Sequence, residues 1–154
     1  MEKQIEWDAY FMNVAILTSL RSKDTTKVGA CIASKENRIL GCGYNGVPHG
    51  LNASDFPTSR DVEHLSYECT KYPYLVHAEA NALCNSTVYD LSNSRIYVTL
   101  FPCCNCAALL IQKGISEVIY LSDKHHDDPI YIASRKLLSA ANIITRQYSG
   151  EVLL

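Results

Sequence analysis

Two short fragments of this 154-residue chain carry side chains that bind metals and move protons: His77-Ala78-Glu79 and Pro102-Cys103-Cys104-Asn105-Cys106. Cys103 and Cys106 stand three apart, so at the start of a helix both thiols lie on one face of the first turn. A helix N-terminus favours thiolates, because its unpaired N–H groups point outward and its dipole end is positive. With His77 they make three protein ligands for Zn²⁺ and leave a fourth position for water, the make-up of a catalytic site. Zinc lowers the pKa of bound water to about 7 and so supplies hydroxide at neutral pH. Glu79 follows His77 by two residues, which places it near the metal but off the ligand direction. A carboxylate there can take the water's proton and hand it to a substrate. C-x-x-C alone is also compatible with a redox or structural role. A structural zinc needs a fourth protein ligand, and no second paired motif is obvious. A non-catalytic, zinc-stabilised regulatory module is the non-enzyme alternative. Glu79 speaks against it, since such a module has no use for a buried carboxylate beside the metal.

The chemistry requires elements that bring the two fragments together. Trp7, Tyr10, Phe11, Val14, Leu17 and Leu20 recur at helical spacing, so the sequence predicts an amphipathic helix over 5–22. Residues 28–33 and 38–44 read as strands joined by the polar turn Ser34-Lys35-Glu36-Asn37, a hairpin whose Gly41 and Gly43 weaken the second strand. Residues 45–76 hold Gly46, Pro48, Gly50, Pro57 and Pro73, and read as a long loop with room for one short helix. Helix 77–86, strand 95–100, helix 103–113, strand 117–122, helix 129–141 and strand 142–148 follow. Lys113-Gly114 marks a helix end, and Asp128-Pro129 a helix start. Strands alternating with helices imply parallel βαβ units, and the preceding hairpin makes the sheet mixed, with helices on both faces.

Composition sets outer limits. The length fits one domain, and a core can form without disulfides. The net charge of −2 comes with no Lys/Arg-rich run, which is evidence against a polynucleotide partner. No signal peptide is recognisable and no apolar run approaches the ~20 residues of a membrane span, so a soluble, cytoplasmic protein is expected. The seven cysteines then read as free thiols or metal ligands. Cys31, Cys42 and Cys84 are expected to pack in the core. His64 and Cys69 offer two ligands for a second zinc where four are usual. His125 and His126 are either solvated loop residues or close to a phosphate.

The H-x-E and P-C-x-x-C pair is the pattern of zinc deaminases. The chain resembles the deoxycytidylate (dCMP) deaminases of the cytidine deaminase superfamily along nearly its whole length. The similarity runs through Tyr10-Phe11-Met12, Arg21-Ser22, Val28-Gly29-Ala30, Gly43-Tyr44-Asn45-Gly46, Tyr72-Pro73-Tyr74, His77-Ala78-Glu79, Phe101-Pro102-Cys103 and Ser122-Asp123-Lys124. The metal motif is shared across the superfamily. The Gly-Tyr-Asn-Gly segment and the insertion before His77 narrow the subgroup.

The resemblance implies a three-layer α/β/α sandwich around a five-stranded mixed sheet, in a single zinc-dependent domain over 1–154. It implies hydrolysis of dCMP to dUMP and ammonia, with one Zn²⁺ per chain and with Glu79 carrying the proton from water to N3 of cytosine. The Ala78 N–H and a carbonyl near Leu100 would read the pyrimidine edge, and Asn45 would bond the deoxyribose. Arg21 and Lys124 are the candidate phosphate contacts. Both match the family pattern, and both fall in loops at element ends, where α/β folds bind ligands. Residues 45–76 match the effector loop of these enzymes. Gly43, Tyr44 and Gly46 would help bind dCTP as activator and dTTP as inhibitor, with Mg²⁺ accompanying the triphosphate. A homo-oligomer, commonly a hexamer, is also implied. The rival enzyme is a tRNA adenosine deaminase. Against it stand the near-neutral charge, the insertion, and Phe101 where such enzymes carry Glu.

Overall fold

The computed structural model describes residues 1–154. Its regular elements are α1 (Trp7–Ser19), β1 (Gly29–Ala33), β2 (Ile39–Tyr44), α2 (Ala78–Cys84), β3 (Arg95–Leu100), α3 (Cys104–Gln112), β4 (Glu117–Ser122), α4 (Pro129–Ala140) and β5 (Ile144–Gln147). The five strands form one sheet in the order β2-β1-β3-β4-β5. β1 runs antiparallel to both β2 and β3, whereas β3, β4 and β5 are mutually parallel. The expected mixed sheet and α/β/α layering are therefore present.

Strand periodicity explains the layering. All five residues of β1 are buried, and they alternate between two cores. Ala30 and Ile32, with Ile96, Val98 and Val118, point into a core closed by Ala78, Ala82, Ala107, Leu110 and Leu138 of α2, α3 and α4. Cys31 and Ala33, with Tyr97 and Ile119, face Phe11, Met12 and Ala15 of α1. The interior residues of a sheet alternate in this way because successive side chains leave opposite faces.

The structure revises several details of the sequence reading; α2 and β5 are shorter than the expected 77–86 and 142–148. α1 is shorter than 5–22 and buries a different stripe: Phe11, Met12, Ala15 and Ser19 are inside, while Trp7, Leu17 and Leu20 are more than half exposed. The small residues decide this, since a Cβ at Gly29 would stand 2.0 Å from the Ala15 carbonyl oxygen. Helix and strand thus touch backbone to backbone, and the bulky side chains are left outside. The glycines of β2 have the same role on the other face. A Cβ at Gly43 would lie 2.3 Å from the Ala82 nitrogen and 2.5 Å from the Ala78 carbonyl oxygen, so α2 lies directly on β2. Cys84, expected in the core, is exposed at the last residue of this short helix.

The segment 45–76 contains three single-turn 3-10 helices, Ala53–Asp55, Tyr67–Cys69 and Tyr72–Tyr74, in place of one short helix. Its neck is closed by an antiparallel bridge. The Gly46 N–H donates to Val76 O at 3.1 Å, and the Val76 N–H donates to Gly46 O at 2.7 Å. A buried ion pair, Lys71 Nζ to Asp24 Oδ1 at 2.7 Å, ties the segment to the turn after α1.

Candidate active site

His77 and Cys103 occupy equivalent places. Each is the extended N-cap residue of its helix, His77 before α2 and Cys103 before α3. The Cys106 N–H donates to Cys103 Sγ at 3.5 Å, so the first turn of α3 orients one thiol through its own backbone. His77 Nδ1 lies 3.4 Å from Cys103 Sγ and 3.5 Å from Cys106 Sγ. These separations test the fit of a metal. Tetrahedral Zn²⁺, with Zn–S of about 2.3 Å and Zn–N of about 2.0–2.1 Å, places a nitrogen and a sulfur roughly 3.5 Å apart. The donor atoms of all three residues lie within 4.8 Å of one another, and no other triple of His, Cys, Asp or Glu in the chain converges in this way. His64 and Cys69 belong to no such group. His64 is exposed and pairs with Asp61 at 3.0 Å.

The electrostatics agree with the geometry. The Cys103 thiol is brought down to about 4 by its contact with Cys106 and by His77, with burial opposing both. The same contact, with burial and the nearby Glu79, pushes the Cys106 thiol up. The sulfur pair accepts one negative charge readily and a second only beside a cation, which a divalent metal supplies. Glu79 is buried at 4% exposure. Burial lifts its carboxyl above the ordinary range, against the opposing pull of His77. Raised carboxyl pKa values beside a metal-ligand set mark candidate proton carriers.

The other expected contacts fall around this centre in different states. Ala78 is buried as the first residue of α2, next to the His77 ligand. Asn45 is buried, and its carboxamide serves the backbone: Oδ1 accepts from the Val28 N–H at 2.9 Å, and Nδ2 donates to Thr26 O at 2.7 Å. Its own carbonyl accepts from the Ser22 hydroxyl at 2.8 Å. Arg21 is exposed in the turn after α1, and Lys124 is exposed in the loop after β4. Tyr44 ends β2, where its carbonyl accepts from Asn81 Nδ2 of α2 at 3.0 Å. Gly43 lies beneath α2, and Gly46 forms the neck bridge.

One neighbour of the centre is absent from the sequence reading. Tyr131, on the first turn of α4, is half-buried, and its hydroxyl is pushed up by burial and by the charges of Cys103 and Glu79. Its ring lies 5.5 Å from that of His125. The Asp128-Pro129 start signal places this turn, but an aromatic residue there reads as packing.

Residues 5–122 match the family model for the cytidine and deoxycytidylate deaminase zinc-binding region. The chain belongs to the cytidine and deoxycytidylate deaminase family. It is 47% identical to the deoxycytidylate deaminase of Homo sapiens over 145 residues, covering 94% of this chain and 80% of that one. It is 48% identical over 147 residues to a probable deoxycytidylate deaminase of Drosophila melanogaster, covering 92% and 72%. Among solved structures, the apo dCMP deaminase of cyanophage S-TIM5 superposes with a TM-score of 0.71 at 25% identity, covering 95% of this chain and all of that one. Membership in this deaminase family, whose matched region is described as zinc-binding, agrees with the His77, Cys103 and Cys106 cluster. No helix is long and apolar enough to cross a membrane.

Proposed function

We propose that the chain hydrolyses dCMP to dUMP and ammonia. One observation carries the reading: a buried carboxyl, Glu79, stands two residues from an imidazole set at metal-edge distances from two thiols. The 47% identity to human deoxycytidylate deaminase and the likeness to a cyanophage dCMP deaminase, also solved with dCMP and dUMP, point to the substrate. His77, Cys103 and Cys106 would hold Zn²⁺, which when bound supplies a water of lowered pKa. Glu79 would carry a proton from water to N3 of the cytosine and then assist departure of ammonia. The Ala78 N–H orients the pyrimidine edge, and Asn45 the sugar. Arg21 and Lys124, both exposed and outside the ion pairs of the chain, serve the phosphate.

The same reading includes regulation. dCTP with Mg²⁺ activates and dTTP inhibits, through the segment that begins at Gly43, Tyr44 and Gly46, in a homo-oligomer that is a hexamer. What supports it is the position of the segment, which leaves β2 and returns to the chain immediately before His77. The neck bridge at Gly46 ends one residue before His77, which gives a ligand of the loop a short route to the metal centre.

The test is ammonia release from dCMP, deoxycytidine, CMP and a tRNA anticodon stem-loop. Turnover should be confined largely to dCMP. Arg21→Ala should reduce kcat/KM for dCMP at least tenfold while leaving the weaker use of deoxycytidine nearly unchanged. Equal losses on both substrates exclude the phosphate role, and turnover of the stem-loop alone overturns the substrate.

A further inference from the structure

Two thiols outside the metal centre face each other across the sheet. Cys31 of β1 and Cys42 of β2 are register partners. The Asn45 N–H donates to the Val28 carbonyl at 3.2 Å, which makes Val28 and Asn45 a hydrogen-bonded pair of this antiparallel ladder. Bonded and non-bonded pairs alternate, so Cys31 and Cys42, three pairs along, form a non-bonded one. The Cα atoms of such a pair stand about 4.5 Å apart, and their side chains approach more closely than in a bonded pair. Disulfides bridge Cα separations of roughly 4.4–6.8 Å. Both side chains leave the sheet on the α1 face: Cys31 belongs to that core, and Cys42 packs against it. Cys31 is fully buried and Cys42 half-buried, so a small oxidant meets Cys42 first. Cys69 and Cys84 are exposed, and neither is joined to another cysteine in the structure.

We propose that Cys31 and Cys42 form a redox-active pair, separate from the metal ligands, which a peroxide closes into a cross-strand disulfide.

The order of events follows from the two environments. The adjacent Cys31 thiol lowers Cys42, against burial and with help from Thr18, so Cys42 is the sulfur of the pair that ionises first. The Cys42 thiolate attacks one oxygen of hydrogen peroxide, and the O–O bond breaks. The leaving oxygen departs as water after taking a proton, and Cys42 becomes a sulfenic acid. The Cys31 sulfur then displaces that hydroxyl, which leaves as a second water, and the S–S bond forms. Two thiols lose two electrons, and one peroxide is reduced to two waters. A sulfenic acid beside a thiol condenses in this way. Gly41 and Gly43 flank Cys42 and support α2 from the opposite face, so the link lies beneath the helix that carries Glu79.

The zinc-loaded full chain is treated with hydrogen peroxide, the peroxide is removed, and the remaining thiols are capped with N-ethylmaleimide in guanidinium chloride, which exposes the buried Cys31. It is then digested with trypsin without reductant and mapped by mass spectrometry. Cleavage after Lys27, Lys35, Arg38 and Arg60 places the two cysteines on separate peptides, Val28–Lys35 and Ile39–Arg60. The expected product is those two peptides joined, two hydrogens lighter than their sum, and separated by dithiothreitol. Zinc content should stay constant while the link forms. In Cys42→Ser, Cys31 should be recovered capped. In Cys31→Ser, Cys42 should proceed to sulfinic acid. The proposal is overturned if wild-type Cys42 reaches sulfinic acid while Cys31 is capped. It is equally overturned if both thiols are capped at peroxide doses that oxidise Cys69, or if zinc is lost in step with the only disulfide found.

Discussion

At the scale of single residues, the centre divides its work between charge and burial. Cys103 and Cys106 cannot both ionise without a cation between them, so Cys103→Ala removes a ligand that no neighbour replaces. The expected outcome is loss of tightly held zinc by elemental analysis, together with loss of deaminase activity. Full zinc stoichiometry in that variant would falsify the ligand assignment. Glu79→Gln keeps the shape and removes the proton carrier. Turnover should fall at least ~10³-fold with zinc still bound, the combined effect of lost acid–base transfer and poorer hydroxide formation. The same substitution should have an opposite effect on stability. Burial raises the Glu79 carboxyl in the folded state, so the native chain holds its proton more tightly than the unfolded chain does. Stability therefore falls as pH rises from the unfolded value of 4.5 through the raised folded value. Metal-free Glu79→Gln should be more stable than metal-free wild type at pH 7.5, because the wild-type carboxylate loses its hydration on burial. The difference should vanish as the pH approaches that of an ordinary carboxyl. Thermal melts across pH, with and without chelator, measure it.

At the scale of elements, helix starts do the positioning. His77 and Cys103 are both N-caps, and α2 reaches its place only because β2 has no side chain at Gly43. Gly43→Ala drives a methyl group into the backbone of Ala78 and Ala82. It should cost about 1–3 kcal/mol, as overpacking does. It should also lower kcat by up to ~10²-fold, because α2 carries Glu79 and cannot shift without it. Denaturant melts and steady-state kinetics on one preparation check both, and a fully active, fully stable variant would refute the close approach.

Much of this level is legible in the chain itself. β3 and β4 have the limits that the sequence pattern predicts, 95–100 and 117–122, since each is a short apolar run closed by a helix signal. The C-terminal limit of α1 is not legible. The chain turns away after Leu20, and the buried Ser22 hydroxyl donates to the Asn45 carbonyl, a partner 23 residues further on. The buried stripe of α1 is hidden for a similar reason, since the contact at Gly29 belongs to a different element. The metal triple is legible because its residue types and spacing are specific to the chemistry. The backbone bonds of the Asn45 carboxamide are not, because the atoms it meets are main-chain groups that carry no residue signature. Tyr131 is hidden likewise, because an aromatic residue in a helix is usually packing.

At the scale of the whole molecule, the segment before His77 is fastened to the body by one buried ion pair. Burial alone would raise the Asp24 carboxyl, but the bond from Lys71 and the Thr26 N–H hold it below the ordinary 3.8. A depressed carboxyl contributes stability above its unfolded pKa and loses it as pH falls through the folded one. Asp24→Asn leaves the Lys71 ammonium buried without its partner, so the loss at pH 7 should be about 3 kcal/mol. Denaturant melts should show the two proteins converging below pH 3.8. A constant difference at every pH would assign the effect to packing instead of charge.

The bridge between Gly46 and Val76 has a different consequence for how the chain can change over time. Everything between those two residues enters and leaves through a single doorway one peptide wide. Insertions and deletions inside it reach the sheet through that doorway, through Lys71 and through the Arg60 guanidinium, which donates to the Thr25 hydroxyl. This stretch can therefore be lengthened, shortened or exchanged as a unit while the five strands keep their register. The residue just past the doorway is His77, so each such exchange is also a trial of how the metal ligand is held.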